Sequence, residues 1–186
     1  MLKIIEGKYK RKIIQTPNSL KIRPTSSRMR KSIFDVLSHS KYLNEEIYNT
    51  KVLDVFAGSG MMGLECLSRG AIYCKFIDNS NQCIRIINKN LSELKLKSLS
   101  TVLKLDANYP TPAKEKYGLS FFDPPYSELN FSNILIRWEE KGWFTENAIC
   151  VYEKRKKTYF KLPKKFLIIK NIIKSETEVL ILKKSQ

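Results

Sequence analysis

Asp123-Pro124-Pro125-Tyr126 follows the apolar run Leu119-Ser120-Phe121-Phe122. A short apolar run that stops abruptly at Asp-Pro-Pro predicts a buried strand whose carboxyl end turns sharply outward. Neither proline donates a backbone hydrogen bond and each has a fixed φ, so the segment is stiff and its carbonyls stay available. Pro124 also biases Asp123 toward extended geometry. A carboxylate, open carbonyls and an aromatic ring are then held together where open α/β sheets place their ligands. Such a set suits an exocyclic amino group on a nucleobase, whose lone pair is delocalised into the ring and is a poor nucleophile. A carboxylate and a carbonyl accepting its two N–H bonds orient the nitrogen and favour the charge that grows on it during attack. The Tyr126 ring is placed to stack on the base. Taken alone, the four residues fit a surface turn equally well, and the surrounding chain decides between the two.

From Lys51 onward, strand and helix patterns alternate. Residues 51–56 read as a strand, Ala57-Gly58-Ser59-Gly60 as a tight turn, and Met61 to Arg69 as a helix closed by Gly70. Strands follow at Tyr73 to Ile77, ending at Asp78, at Thr101 to Leu105, ending at Asp106, and at Leu119 to Phe122, ending at Asp123. Between them, Gln82 to Leu96 and Leu129 to Lys141 are helices, and Ala148 to Tyr152 is a fifth strand. Phe166 to Ile173 and Glu178 to Leu182 form a closing pair around Lys174-Ser175-Glu176-Thr177. This order predicts an α/β, Rossmann-like fold: a mostly parallel sheet, covered on both faces, with an antiparallel C-terminal hairpin edge.

Successive strands thus deliver glycines or carboxylates to one edge. Gly58, Gly60 and Gly63 follow Asp54; they permit positive φ and close approach of a ligand to backbone beside a helix N-terminus. Asp78 comes 20 residues after Gly58, where a sheet of this kind sets a carboxylate on an adenosine ribose. Asp106 is placed to approach the adenine amino group. The glycine pattern also fits a dinucleotide-binding dehydrogenase. Phe56-Ala57 puts a bulky ring before the first glycine, however, and the remaining chain is short for a second nucleotide-binding half. Asp54, the turn and the distal Asp-Pro-Pro-Tyr fit S-adenosylmethionine instead, its methyl facing the amine held by Asp123.

The formal net charge of +16 on 186 residues favours a polyanionic partner. Much of it is clustered. Residues 1–41 carry Lys10, Arg11, Lys12, Arg23, Arg28 and Arg30 among other cations, against only Glu6 and Asp35. These six are the candidates for gripping phosphate. A second cluster comprises Lys154, Arg155, Lys156, Lys157, Lys161, Lys164 and Lys165. In the N-terminal part, Lys3-Ile4-Ile5 and Lys12-Ile13-Ile14 predict a small basic hairpin. A helix from about Pro24 to Ser38 follows, with Met29, Ile33, Val36 and Leu37 on its buried face. His39 reads as a solvated helix end, and the four cysteines as buried small hydrophobes. No apolar run approaches a membrane span and no signal-peptide pattern opens the chain, so a cytoplasmic protein without membrane contact is expected.

The stretch Val52 to Gly60, then Leu64-Glu65 and Ser68-Arg69-Gly70-Ala71, then Phe122 to Tyr126, resembles the bacterial 16S rRNA (guanine-N2)-methyltransferases of the RsmD type. Ile4-Ile5-x-Gly7-Lys8-Tyr9, Arg23-Pro24-Thr25, Arg28-x-Arg30 and Ile33-Phe34 match that family as well. Asp-Pro-Pro-Tyr alone marks amino-directed methyltransferases at large; the Arg-Pro-Thr segment narrows the likeness to this family. The resemblance implies that Asp54 and the Gly58–Gly60 turn line the methionine end of the cofactor, Asp78 its ribose and Asp106 its adenine, with Phe56 and Ala107 as further cofactor-binding residues. It implies that Asp123, Pro124, Pro125 and Tyr126 hold the target guanine. The expected protein is then a monomeric, metal-free rRNA methyltransferase acting on ribosomal RNA or the small ribosomal subunit. Residues 1–41 would form its RNA-binding extension and 42–186 its catalytic core, within one domain. The rival readings are an adenine-N6 DNA methyltransferase and a non-catalytic RNA-binding protein that keeps the fold.

Overall fold

The computed structural model describes residues 2–17, 26–39, 49–125 and 130–185. Tyr126 and Arg23 lie outside the described residues. Seven strands form one sheet in the order β5-β4-β3-β6-β7-β9-β8. They are β3 (Lys51–Val55), β4 (Tyr73–Asp78), β5 (Ser100–Lys104), β6 (Tyr117–Phe122), β7 (Phe144–Arg155), β8 (Phe166–Lys174) and β9 (Thr177–Lys184). The pairs from β5 through β7 are all parallel, and β9 runs antiparallel to both β7 and β8. The mostly parallel sheet with a C-terminal hairpin is therefore as expected. Its antiparallel strand lies one place inside the edge, because β9 folds back between β7 and β8.

Helices α2 (Met61–Ser68) and α3 (Asn81–Glu93) pack on one face together with the N-terminal helix α1 (Ser27–His39). α4 (Phe131–Glu140) packs on the other. The strands between them must be mostly apolar on both sides, which is why Val52, Leu53 and Val55 of β3 are apolar, interrupted only by Asp54. Val52 joins the core under α1–α3, while Leu53 and Val55 join the core under α4. β7 begins earlier than its apolar run suggests. Phe144 pairs with Tyr117, then the register shifts before Leu119 meets Ile149. Asn147 takes φ of 61° within this irregular stretch, and polar Glu146-Asn147 conceals the strand from pattern reading.

β1 (Leu2–Lys3) and β2 (Ile13–Ile14) form the N-terminal hairpin, and Ile4 and Ile14 sink into the same core as α1 and α2. The hairpin is bolted to α2. Glu65, fully buried, accepts hydrogen bonds from the Ile5 and Glu6 amides at 2.8 and 3.0 Å and from Arg69 Nε at 3.0 Å. Arg69 also pairs with Glu6 at 2.8 Å. Tyr9 N donates to the Ser68 hydroxyl at 3.0 Å, and that hydroxyl donates to Glu6 O at 2.6 Å. Gly7, at φ of 85°, crosses so close that a Cβ would fall 1.9 Å from Ser68 O, so only glycine fits.

This docking corrects one sequence expectation. Arg30 does not face solvent. It is 1 % exposed, with Nη2 donating to Lys3 O at 2.9 Å, and burial lowers its pKa against the opposing influence of Glu65. The helical repeat left Arg30 on the margin of the apolar face, and the docked hairpin covers that margin. Arg30 ties α1 to the hairpin and is not available to grip phosphate. Arg28, Lys10, Arg11 and Lys12 are exposed. The hairpin tip meets Ser68, eight residues along α2 from Gly60, so it lies about 12 Å from the glycine turn at ~1.5 Å per helical residue.

Candidate active site

The strand order reverses direction of growth at β3, with β4 and β6 on its two sides. A crevice at the carboxyl ends of the strands is the expected ligand site of such a sheet. Register brings Val55 opposite Phe122, and Phe122 opposite Tyr152. The glycine turn after β3, the Asp123-Pro124-Pro125 edge after β6 and Glu153 of β7 consequently stand at adjoining strand ends.

The turn after β3 is shaped by left-handed backbone. Phe56 takes φ of 60°, Gly58 57° and Gly60 77°. For Phe56 this conformation is strained, a condition that clusters at functional sites. The Ala57 amide bonds Ile77 O at 3.0 Å, and the Gly58 amide donates to Asp78 Oδ2 at 2.8 Å. Asp78 Oδ1 meanwhile accepts from Ser80 N at 2.9 Å. One carboxylate thus fastens the β3 turn to the start of α3 and remains half-exposed at the edge. Each of its oxygens keeps lone-pair capacity for hydroxyl donors.

The glycines divide the work differently from the sequence expectation. A Cβ on Gly58 would meet only Phe56 O at 4.0 Å, which leaves open space above the turn for a ligand. A Cβ on Gly63 would fall 2.4 Å from the Phe76 ring and 2.5 Å from Cys74 Sγ. Gly63 therefore serves the close packing of α2 on β4. Its amide donates to Asp54 Oδ2 at 2.9 Å. Asp54 lies beneath the turn, only 3 % exposed, and its pKa is pushed up to about 7 by burial, with the Gly63 bond opposing and the charge of Asp78 adding to the rise.

Asp106 is exposed past β5, accepting from Asn108 N at 2.9 Å. Ala107 is buried next to it, its carbonyl taking the Trp138 indole N–H at 2.8 Å. Asp54, Phe56, Gly58, Gly60, Asp78, Asp106 and Ala107 thus border one edge. Across it, Pro124 is buried and Pro125 exposed, and both line a groove with Tyr152, Glu153, Lys154, Arg155 and Thr158. Lys154 is 7 % exposed and bonds Glu178 Oε2 at 2.6 Å and Thr158 O at 2.9 Å. In the sequence Lys154 is one of a basic cluster; its pairing with Glu178 across the β7–β9 ladder was not visible in a linear pattern. Asn90 was missed as well. Buried in α3, it holds Ser59 O at 3.0 Å and exchanges bonds with Gln15, joining the glycine turn to the hairpin exit. A polar residue within the stripe of Cys83, Ile87 and Leu91 was the available signal.

The fold is that of S-adenosylmethionine-dependent methyltransferases. An RNA methyltransferase from Salinibacter ruber, solved in complex with S-adenosyl-L-homocysteine, superposes with a TM-score of 0.65 at 10% identity, covering 88% of this chain and 95% of that one. The protein yhhF of Escherichia coli superposes with a TM-score of 0.85 at 24% identity, over 99% and 98% of the two chains. In sequence, the chain is 28% identical to the ribosomal RNA small subunit methyltransferase D of Buchnera aphidicola, over 94% of this chain and 89% of the relative. The family model described as "Conserved hypothetical protein 95" matches residues 2–183. The chain belongs to this family, the RsmD-type methylases.

Proposed function

We propose that the protein methylates the exocyclic N2 amine of a guanine in small-subunit ribosomal RNA, with S-adenosylmethionine as methyl donor. The observation that carries this reading is the adjacency of the glycine turn after β3 and the Asp-Pro-Pro edge after β6, on parallel strands paired at Val55 and Phe122. Open space above Gly58 and the half-exposed Asp78 carboxylate fit an adenosyl cofactor with its ribose on Asp78. Phe56, Gly60 and Asp54 would border its methionine end, and Asp106 and Ala107 its adenine. Bound there, S-adenosylmethionine supplies an electrophilic sulfonium methyl group.

Asp123 and the backbone carbonyl beside it accept the amine N–H bonds, turn the nitrogen lone pair toward the donor and stabilise the positive charge developing on nitrogen. Pro124 and Pro125 keep that edge rigid, so little reorganisation accompanies the step. Tyr126 would stack on the base. The basic N-terminal segment, with exposed Lys10, Arg11, Lys12 and Arg28, supplies the phosphate contacts of an RNA-binding extension. The names of the rRNA methyltransferase relatives support the choice of substrate. The test is labelled methyl transfer to naked rRNA and to 30S particles, followed by mapping of the modified nucleoside. N2-methylguanosine at one position is expected, and methyl-adenine or no product refutes the reading.

A further inference from the structure

The loop joining β7 to β8 carries most of the second basic cluster. Two of that cluster's cations are spent on internal pairs: Lys154 on Glu178 and Lys165 on Glu139 at 3.0 Å. Lys156, Lys157, Lys161 and Lys164 are exposed, and none of their ammonium groups has an ion-pair partner among the described residues. Among them stands Tyr159, 82 % exposed.

An exposed tyrosine on a floppy loop would mean little, but this loop is pinned. Phe160 turns inward, 5.2 Å from the Tyr152 ring and 5.8 Å from Phe131, and those two rings stack at 3.6 Å. Lys154 Nζ reaches back to Thr158 O, Thr158 N donates to Arg155 O at 3.0 Å, and the Ser132 hydroxyl donates to Lys161 O at 2.6 Å. Thr158 itself lines the groove beside Pro124 and Pro125. The next residue outward is Tyr159. The backbone on either side of Tyr159 is thus fixed beside Pro124 and Pro125 before any ligand arrives, so little loop freedom is lost on binding.

We propose that this loop is a docking platform for single-stranded RNA next to the target nucleotide, with Tyr159 stacking a flanking base and the four lysines holding the adjoining phosphates. Aromatic faces stack any unpaired base, and duplex bases are not free to do so. The platform rests on the RNA-methyltransferase reading for its substrate. It is a different surface from the N-terminal hairpin, whose tip lies at the far end of α2.

The test uses the full chain and a short single-stranded RNA carrying one guanine with 2-aminopurine beside it. Binding should quench 2-aminopurine fluorescence in the native protein and in Tyr159→Phe, but not in Tyr159→Leu, whose affinity should fall at least about fivefold. Replacing Lys156, Lys157, Lys161 and Lys164 by alanine should flatten the plot of log affinity against log salt by up to about 3, at ~0.7 per phosphate contact. Native quenching and affinity in Tyr159→Leu, or an equal loss on a fully paired duplex, would overturn the proposal. Tyr159-dependent quenching without methyl transfer to any guanine-containing RNA would uphold the platform and refute the proposed reaction.

Discussion

Asp54 offers a prediction whose size follows from its surroundings. Its carboxyl is sealed under the glycine turn, bonded to Gly63 N, and burial raises its pKa from 3.8 to about 7. A carboxyl whose folded pKa is raised holds its proton more tightly in the native state than in the unfolded chain. Stability is then full below about 3.8 and is lost as pH rises through about 7. The slope in that window is about −1.4 kcal/mol per pH unit. Between about pH 5 and pH 8 the loss sums to roughly 3 kcal/mol. Asp54→Asn keeps the shape and the acceptor for Gly63 but cannot ionise. Urea unfolding of both proteins across this range should therefore show the native chain losing roughly 3 kcal/mol relative to the variant as pH rises. A cationic cofactor above the turn favours the ionised form. Below about pH 7 its binding should release a proton in the native protein and none in Asp54→Asn, read by calorimetry in buffers of different ionisation enthalpy. A flat stability difference from pH 5 to 8 would refute this account of Asp54.

Three other outcomes are expected. Asp123→Asn should lose on the order of 10²-fold in single-turnover methylation with little change in RNA or cofactor affinity, because the charge acts on the transition state; near-native rates would remove Asp123 from that role. Asp78→Ala should weaken S-adenosylmethionine binding by about 1–3 kcal/mol in calorimetric titration, and unchanged affinity in a folded variant would count against ribose binding. Glu65→Gln leaves Arg30 and Arg69 without their buried counter-charge and sets an amide N–H against backbone N–H groups; it should cost about 3–5 kcal/mol in stability. Hydrogen exchange at the Ile5 and Glu6 amides should accelerate, and undiminished protection there would show that the hairpin is held by something else.

The central strands and the Asp-Pro-Pro turn after β6 were legible because parallel strands buried on both faces must be mostly apolar and must end in something else. Val52 to Val55, Tyr73 to Ile77 and Leu119 to Phe122 each stop at a glycine turn or a carboxylate for that reason. What stayed hidden is non-local. Arg30 looks like a surface cation until the hairpin covers it, and Lys154 until Glu178 of β9 pairs with it. Gly63 looks like part of a ligand loop, yet the Phe76 ring and Cys74 sulfur from β4 dictate its lack of a side chain. The paired stretches around Gly7 and around Glu65-Ser68 resembled the family separately. Only the folded chain shows that they touch.

The docking of the hairpin on α2 has a consequence for the birth of the molecule. Each strand of the hairpin is two residues long, too short to persist alone, and Glu65, which fixes Ile5, follows it by 60 residues. Translation at about 5–20 residues per second makes the N-terminus wait several seconds for its partner helix. The hairpin is thus bound to fold after the helix that receives it. Until then Lys8, Lys10, Arg11 and Lys12 are not yet set in their final arrangement.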